Sequence, residues 1–198
     1  MEKKHLTTEQ FSTIEQAVRM ILDAVGDDPN RPGLVETPNR VARMFDEVFE
    51  GMRYTNDEIA AMFDKCFDEP TAEDLVCVGN IDAFSYCEHH LALMYNMKIS
   101  VAYIPHGKVV GLSKIARIVD MVTKRLQLQE RIGEDIAYIM EKILNTNNVM
   151  VVVKGEHSCM TARGIKKPGT VTHSAVLHGL FRDSSALRSE VYSMIGGR

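Results

Sequence analysis

Cys87-Glu88-His89-His90 places a thiol and an imidazole three positions apart, and far downstream His157-Ser158-Cys159 supplies a second thiol and a further imidazole. Two thiolates and one imidazole make a soft set that suits tetrahedral zinc and leaves a fourth corner for water. Water on zinc can act as a nucleophile at neutral pH. An i, i+3 spacing brings Cys87 and His90 together only if the chain turns there, and His89 then points elsewhere, free for proton transfer. His157 precedes Cys159 by two residues on an expected strand, so it shares that face and can sit over the metal without binding it. Both free imidazoles suit acid–base work near neutral pH. The alternative is two buried thiols beside surface histidines, which has to accommodate four consecutive polar or ligand-capable residues at a strand end. Cys66 and Cys77 have no His or Cys at ligand spacing and are expected to be ordinary small hydrophobes.

A second group of residues suggests an anion. Gly111-Leu-Ser-Lys114 opens a helix, Ser113 is expected to cap it, and free amide groups at helix starts bind anions. Lys114 and Arg117 share one face of that helix start, where the helix dipole disfavours cations, so a bound anion would offset a local cost. The bland reading is a solvated basic face. Arg163 in Arg163-Gly-Ile-Lys-Lys167 adds positive charge close to Cys159, and with Lys114 and Arg117 could hold a polyphosphate. There is no Walker-type glycine loop, so side chains and a helix start would have to hold any nucleotide. In Gln129-Glu130, a carboxylate can accept two parallel hydrogen bonds of the kind guanine presents, although exposed helical Glu residues are common.

These residues need elements to position them. Thr7-x-x-Gln10 is a capping box before a helical stripe of Phe11, Ile14, Val18, Ile21, Leu22 and Val25. Gly26 to Glu36 is rich in turn residues. Thr37 is expected to cap a second helix with Pro38 at its first position, and Gly51 to stop it. Asp74 to Tyr86 and Met94 to Ile104 are expected strands, followed by the turn Pro105-His106-Gly107. A helical region runs from Ser113 to Leu144 with a break near Leu126. Asn145 to Asn148 is a turn, Val149 to Val153 a buried strand, Thr170 to Phe181 another strand, and Ser184 to Ile195 a closing helix. The order predicts an α+β fold with an antiparallel sheet, in one domain: a helical portion over about residues 1–70 and a catalytic core over about 71–198.

Composition bounds the function. The 198 residues are 45% hydrophobic and 25% charged, with a formal net charge of -4. That balance argues against a general nucleic-acid binder. No secretory signal and no membrane-spanning stretch is evident, so the expected location is cytoplasmic. In a reducing compartment the four cysteines are not expected to form a disulfide framework.

Several segments, in order and at compatible spacing, resemble the GTP cyclohydrolase I family across nearly the whole chain. They are Arg31-Pro-Gly-Leu34, Thr37-Pro-Asn-Arg-Val41, Cys87-Glu-His-His90, Val101-Ala-Tyr-Ile-Pro105, Gly111-Leu-Ser-Lys114, Arg117-Ile118, Gln127-Leu-Gln-Glu-Arg131, Thr146-Asn-Asn-Val149, His157-Ser-Cys-Met160 and Arg163-Gly-Ile-Lys-Lys-Pro-Gly169. The resemblance implies a tunnelling fold, in which antiparallel sheets of several subunits join into a barrel, with the N-terminal helices outside. It also implies a homodecamer of two pentamers with active sites between subunits. Cys87, His90 and Cys159 match zinc ligands whose water attacks the guanine carbon between the two imidazole nitrogens. His157 matches the acid that protonates the adjacent ring nitrogen. His89 and Ser113 match residues that open and rearrange the ribose. Glu130, with Gln129, matches the guanine-recognition position, and Lys114, Arg117 and Arg163 match triphosphate contacts. The implied reaction consumes GTP, releases formate and gives 7,8-dihydroneopterin triphosphate, the first step of folate and pterin biosynthesis.

One segment departs from the family pattern. Thr170-Val-Thr-His-Ser-Ala-Val-Leu-His-Gly179 carries His173 and His178 where they are unexpected, and both are taken as surface or interface histidines rather than zinc ligands. Two other functional classes have distinct signatures. A structural zinc site needs a fourth protein ligand, from His89, His157, Cys66 or Cys77. A zinc nucleobase deaminase needs H-x-E and P-C-x-x-C, whereas Glu88-His89 has the wrong order and Cys159 lacks a partner.

Overall fold

A computed structural model describes residues 3–69 and 73–196. The boundary expected near residue 70 falls at 70–72, outside the described residues. The elements run α1 (Thr8–Ala24), α2 (Thr37–Val48), a 3-10 turn (Glu50–Arg53), α3 (Asn56–Phe63), β1 (Cys66–Asp68), β2 (Val76–Cys87), β3 (Ala92–Tyr103), β4 (Lys108–Val110), α4 (Leu112–Thr123), β5 (Leu126–Gln127) and α5 (Gln129–Leu144). They continue with β6 (Val149–His157), α6 (Ser158–Thr161), β7 (Val171–Leu177), α7 (Leu180–Asp183) and α8 (Ser185–Gly196). The fold is α+β. Its main sheet has the order β5-β2-β3-β6-β7, and β1 and β4 form a separate antiparallel pair. All neighbours in the main sheet are antiparallel except β5, which runs parallel to β2.

The β-branched run in β6 explains the layering. Val149, Val151 and Val153 face α4 and α5, where Ile115, Ile118, Ile132, Ile136 and Met140 complete the main core. Met150 and Val152 face the other way, towards Phe181 and Val191 from α7 and α8. Strand alternation thus gives one sheet two apolar faces. Ile59 and Ala60 of α3 belong to the main core, so the helical portion packs into the same interior as the sheet.

Local expectations fared differently. The Thr7/Gln10 capping box is formed, but no residue of α1 is buried, and Met20, Ile21 and Val25 stay exposed. Thr37 is not the cap of α2; Glu36 holds that position, with no side-chain cap hydrogen bond, and the proline falls one residue further in. Ser113 is likewise not the cap of α4: Gly111 is, and Ser113 is the second helical residue. Gly51 does not stop α2, which ends at Val48. It lies in the 3-10 turn, where a Cβ would come 1.9 Å from the Met121 carbonyl oxygen, so its role is close approach to the end of α4. The last strand is shorter than expected because Gly179, with φ +52°, turns the chain into α7.

Four buried or half-buried polar residues tie the helical portion to the core. Arg125 donates to the carbonyls of Gly51 (3.0 Å) and Tyr54 (3.0 Å), to Asn56 Oδ1 (2.8 Å) and to Asp135 Oδ2 (3.0 Å). Asp135 also accepts from Asn56 Nδ2 (2.9 Å) and Gln127 Nε2 (2.8 Å). Among the described residues, no helix is long and apolar enough to cross a membrane.

Candidate metal centre

Cys87 is the last residue of β2 and Ala92, its cross-strand partner, the first of β3. The four residues between form a tight turn. The amide of His90 donates to the Cys87 carbonyl (3.4 Å), and Leu91 takes φ +51° so that the chain can re-enter the sheet. This turn folds the i, i+3 pair together, as the spacing requires. Two contacts anchor it: the Glu88 amide donates to the Gln127 carbonyl (3.2 Å), and Arg131 Nη1 lies 2.6 Å from Glu88 Oε2. The Arg131 guanidinium holds the Glu88 carboxyl below its usual range.

The second thiol arrives through strand pairing. Met94 on β3 pairs with His157 at the end of β6, so β6 finishes beside the β2–β3 turn. The next residues wind into α6, which carries Cys159, and Tyr95 donates its hydroxyl proton to Thr161 Oγ1 (3.1 Å) to pin that helical turn. Cys87, His90 and Cys159 each offer a ligand atom, and these atoms lie within 4.8 Å of one another.

The donor set fits zinc. Tetrahedral bonds of ~2.3 Å to sulfur and ~2.0 Å to nitrogen separate ligand atoms by roughly 3.5–3.8 Å, which falls inside the 4.8 Å limit of the present cluster. Burial pushes the Cys159 thiol up, and the adjacent Cys87 sulfur pushes it further. Two thiols in contact resist joint ionisation unless a cation sits between them. Neither remaining cysteine completes a fourth protein bond: Cys66 donates to the Ile143 carbonyl at the far end of α5, and Cys77 packs on the opposite sheet face. Burial raises both of those thiols.

Around the Cys87–His90–Cys159 group the chain gathers His89, His157, Gln129, Glu130 and Arg163. His89 does not turn away as the spacing suggests; its Nδ1 lies 3.6 Å from Cys87 Sγ, because the turn stacks neighbouring side chains over the thiol. His157 is half-buried, which pushes its pKa down, and nearby Glu130 partly opposes that shift. Glu130 is exposed on the first turn of α5. Gln129 is only 2% exposed, and its side chain faces the interior. Its Oε1 lies 2.8 Å from His157 Nε2, while its Nε2 lies 3.2 Å from the Val153 carbonyl, 3.1 Å from the Thr172 carbonyl and 3.2 Å from Ser174 Oγ. This buried amide is a feature that sequence reasoning missed. Arg163 is exposed four residues after Cys159 and near enough to favour its thiolate.

Ser113, Lys114 and Arg117 do not join this group. The C-terminal end of α4 leads directly into β5, which pairs with Tyr86 and Cys87. Ser113 therefore lies about ten residues back along the helix, roughly 15 Å away at 1.5 Å per residue. At that far end Lys114 donates to the carbonyl of Lys65, and Ser113 and Arg117 are exposed. The unexpected histidines lie apart from the cluster. His173 is exposed on β7, and His178 lies between Glu141 Oε1 (2.7 Å) and Glu134 Oε2 (3.3 Å), fastening the end of β7 to α5.

Residues 14–196 match the family model described as GTP cyclohydrolase I. The chain is 56% identical over 185 residues to "GTP cyclohydrolase 1" of Clostridium acetobutylicum, covering 91% of this chain and 95% of that protein. It is 58% identical over 173 residues to the protein of the same name from Clostridium botulinum strain Kyoto, covering 85% and 88%. The corresponding protein of Ruminiclostridium cellulolyticum is 56% identical over 183 residues, covering 90% and 94%.

Proposed function

The chain belongs to the GTP cyclohydrolase I family, and on that premise we propose that it opens the guanine ring of GTP at a zinc ion held by Cys87, His90 and Cys159. One observation carries this reading: three soft ligands from two distant segments converge at one end of the sheet, and among the described residues no fourth Cys, His or carboxylate joins the group. Three protein ligands are the pattern of a catalytic zinc site rather than a closed structural one.

When bound, zinc supplies Lewis acidity and a nucleophile at neutral pH. The chain's own residues do the rest. His157 gives a proton to the imidazole-ring nitrogen of the base, so that the ring opens without expelling an anion. Glu130, at the position that family relatives pair with Gln129, accepts hydrogen bonds from the ring imide and the exocyclic amine of guanine. Its carboxylate is exposed and available, whereas the Gln129 amide is engaged inside the chain. His89 and Ser113 act on the ribose after formate has left, and Lys114, Arg117 and Arg163 hold the triphosphate. The product is 7,8-dihydroneopterin triphosphate, the entry to folate and pterins, made in the cytoplasm.

We further propose that the site is completed by another copy of the chain. Along α4, Ser113 stands about 15 Å and Arg117 about 9 Å back from the helix end that leads to the proposed zinc ligands, and with Lys114 they lie outside the group this chain gathers there. A second copy could bring them to the metal end. The exposed apolar residues Met20 and Ile21 of α1 and Val25 at its C-cap are also consistent with assembly. The proposed form is a tunnelling-fold barrel in a decamer of two pentamers, each chain contributing one domain with its helical portion, about residues 1–70, outside the barrel core.

Incubation of the purified protein with GTP tests the reaction. The expected products are one formate per GTP and a pterin that fluoresces after oxidation. Release of ammonia without formate would instead indicate deamination of the base and overturn the proposal.

A further inference from the structure

We propose that Gln129 is a positioning residue that holds the His157 imidazole through Nε2 and fixes its tautomer, leaving Nδ1 as the ring nitrogen open to substrate. This inference rests on the hydrolytic reading above and deepens it.

A Gln side chain can be turned either way, and its hydrogen-bond partners decide which end is oxygen. The Nε2 end of Gln129 is surrounded by three acceptors: the carbonyl oxygens of Val153 and Thr172 and the hydroxyl of Ser174. Turning the amide over would press Oε1 against two carbonyl oxygens inside a site that is 2% exposed. Such buried unpaired acceptors are costly. The amide nitrogen therefore belongs to β6 and β7, and Oε1 must face His157.

An amide oxygen can only accept, so the facing His157 Nε2 must carry a hydrogen. In the neutral imidazole this leaves the lone pair on Nδ1. A Cβ at Gly155 would come 3.0 Å from Met97 Cγ, so the glycine serves the packing of Met97 beside the amide. The β6–β7 ladder, from Met150↔Leu177 to Glu156↔Val171, holds all three acceptors that orient the amide, so the sheet positions the imidazole at its own end.

The test is a double-mutant cycle in the zinc-loaded protein, using formate release from GTP. Gln129→Met removes the acceptor at similar size. It is expected to lower kcat by about tenfold to a hundredfold, a part of what positioned acid–base groups supply, with KM for GTP and zinc content unchanged. In a His157→Ala background the same substitution is expected to have no further effect on kcat, because Gln129 acts through the imidazole. Gln129→Asn keeps an amide but withdraws its oxygen from His157; it is expected to lower kcat in the same way and serves if the Met variant does not fold. Equal losses in both backgrounds would mean a merely structural role and would overturn the inference, as would full kcat in Gln129→Met. An unsubstituted protein that releases no formate would instead defeat the proposed reaction.

Discussion

Cys87→Ala is expected to abolish bound zinc and formate release together, lowering turnover at least about a thousandfold, while the protein still folds. On the proposed reading, removing one of three protein ligands leaves two, too few to hold a metal that makes a nucleophile of water at neutral pH. The fold should survive because Cys87 loses a single sulfur atom at the sheet's end, while the core of α4, α5 and the valine face of β6 remains intact. Zinc analysis, formate release and circular dichroism on the same sample check the prediction. Cys77→Ala, a thiol on the other face of the sheet, serves as the control and should keep both zinc and activity. Unfolding of the Cys87 variant would favour a structural metal, since such sites carry folding energy outright.

Asp135→Ala is expected to give the largest loss of stability, about 3–5 kcal/mol, because it strands a largely buried guanidinium. Arg125 and Asp135 expose only 13% and 16% of their side chains, and Arg125 also holds Gly51, Tyr54 and Asn56. Asn56 Nδ2 and Gln127 Nε2 would lose an acceptor at the same time. For a chain of this length the loss corresponds to a drop in Tm of roughly 6–20 °C. Asp135→Asn retains acceptor capacity and should cost less. A thermal melt of the two variants decides the matter; an unchanged Tm for Asp135→Ala would mean that the pair contributes nothing net. Limited proteolysis should also find the segment from Gly51 to Asn56 loosened first, because Arg125 is its principal tie to the sheet.

What the sequence disclosed follows the range of each interaction. The Cys87–His90 turn was legible because both ligands come from one short segment, and β6 was legible because five β-branched or apolar residues run together. The meeting of Cys159 with Cys87 depends on the pairing of Met94 with His157, and neither composition nor spacing predicts that register. Strands β1 and β4 have three residues each, too few to show a period. The inward course of Gln129 did leave a trace. Gln129, Ile132, Gly133, Ile136, Ala137 and Met140 are all buried on α5 at the spacing of one helical stripe. Their period places the glutamine on the core side and its neighbour Glu130 on the solvent side. The caps misled at α2 and α4 because hydroxyl residues in a helix's first turn look like caps when only their type is considered. The distance of Ser113, Lys114 and Arg117 from the metal end was invisible, since their order in the chain says nothing of which end of the sheet α4 starts from.

The central claim is that one cation, bound at Cys87, His90 and Cys159, is required to open the guanine ring. Stripping the protein of metal and returning zinc in steps, with formate from GTP measured at each, addresses it most directly. The account predicts negligible formate from the stripped but folded protein, then a linear rise to a plateau at one zinc per chain. Formate released at the full rate before any zinc is added would contradict it.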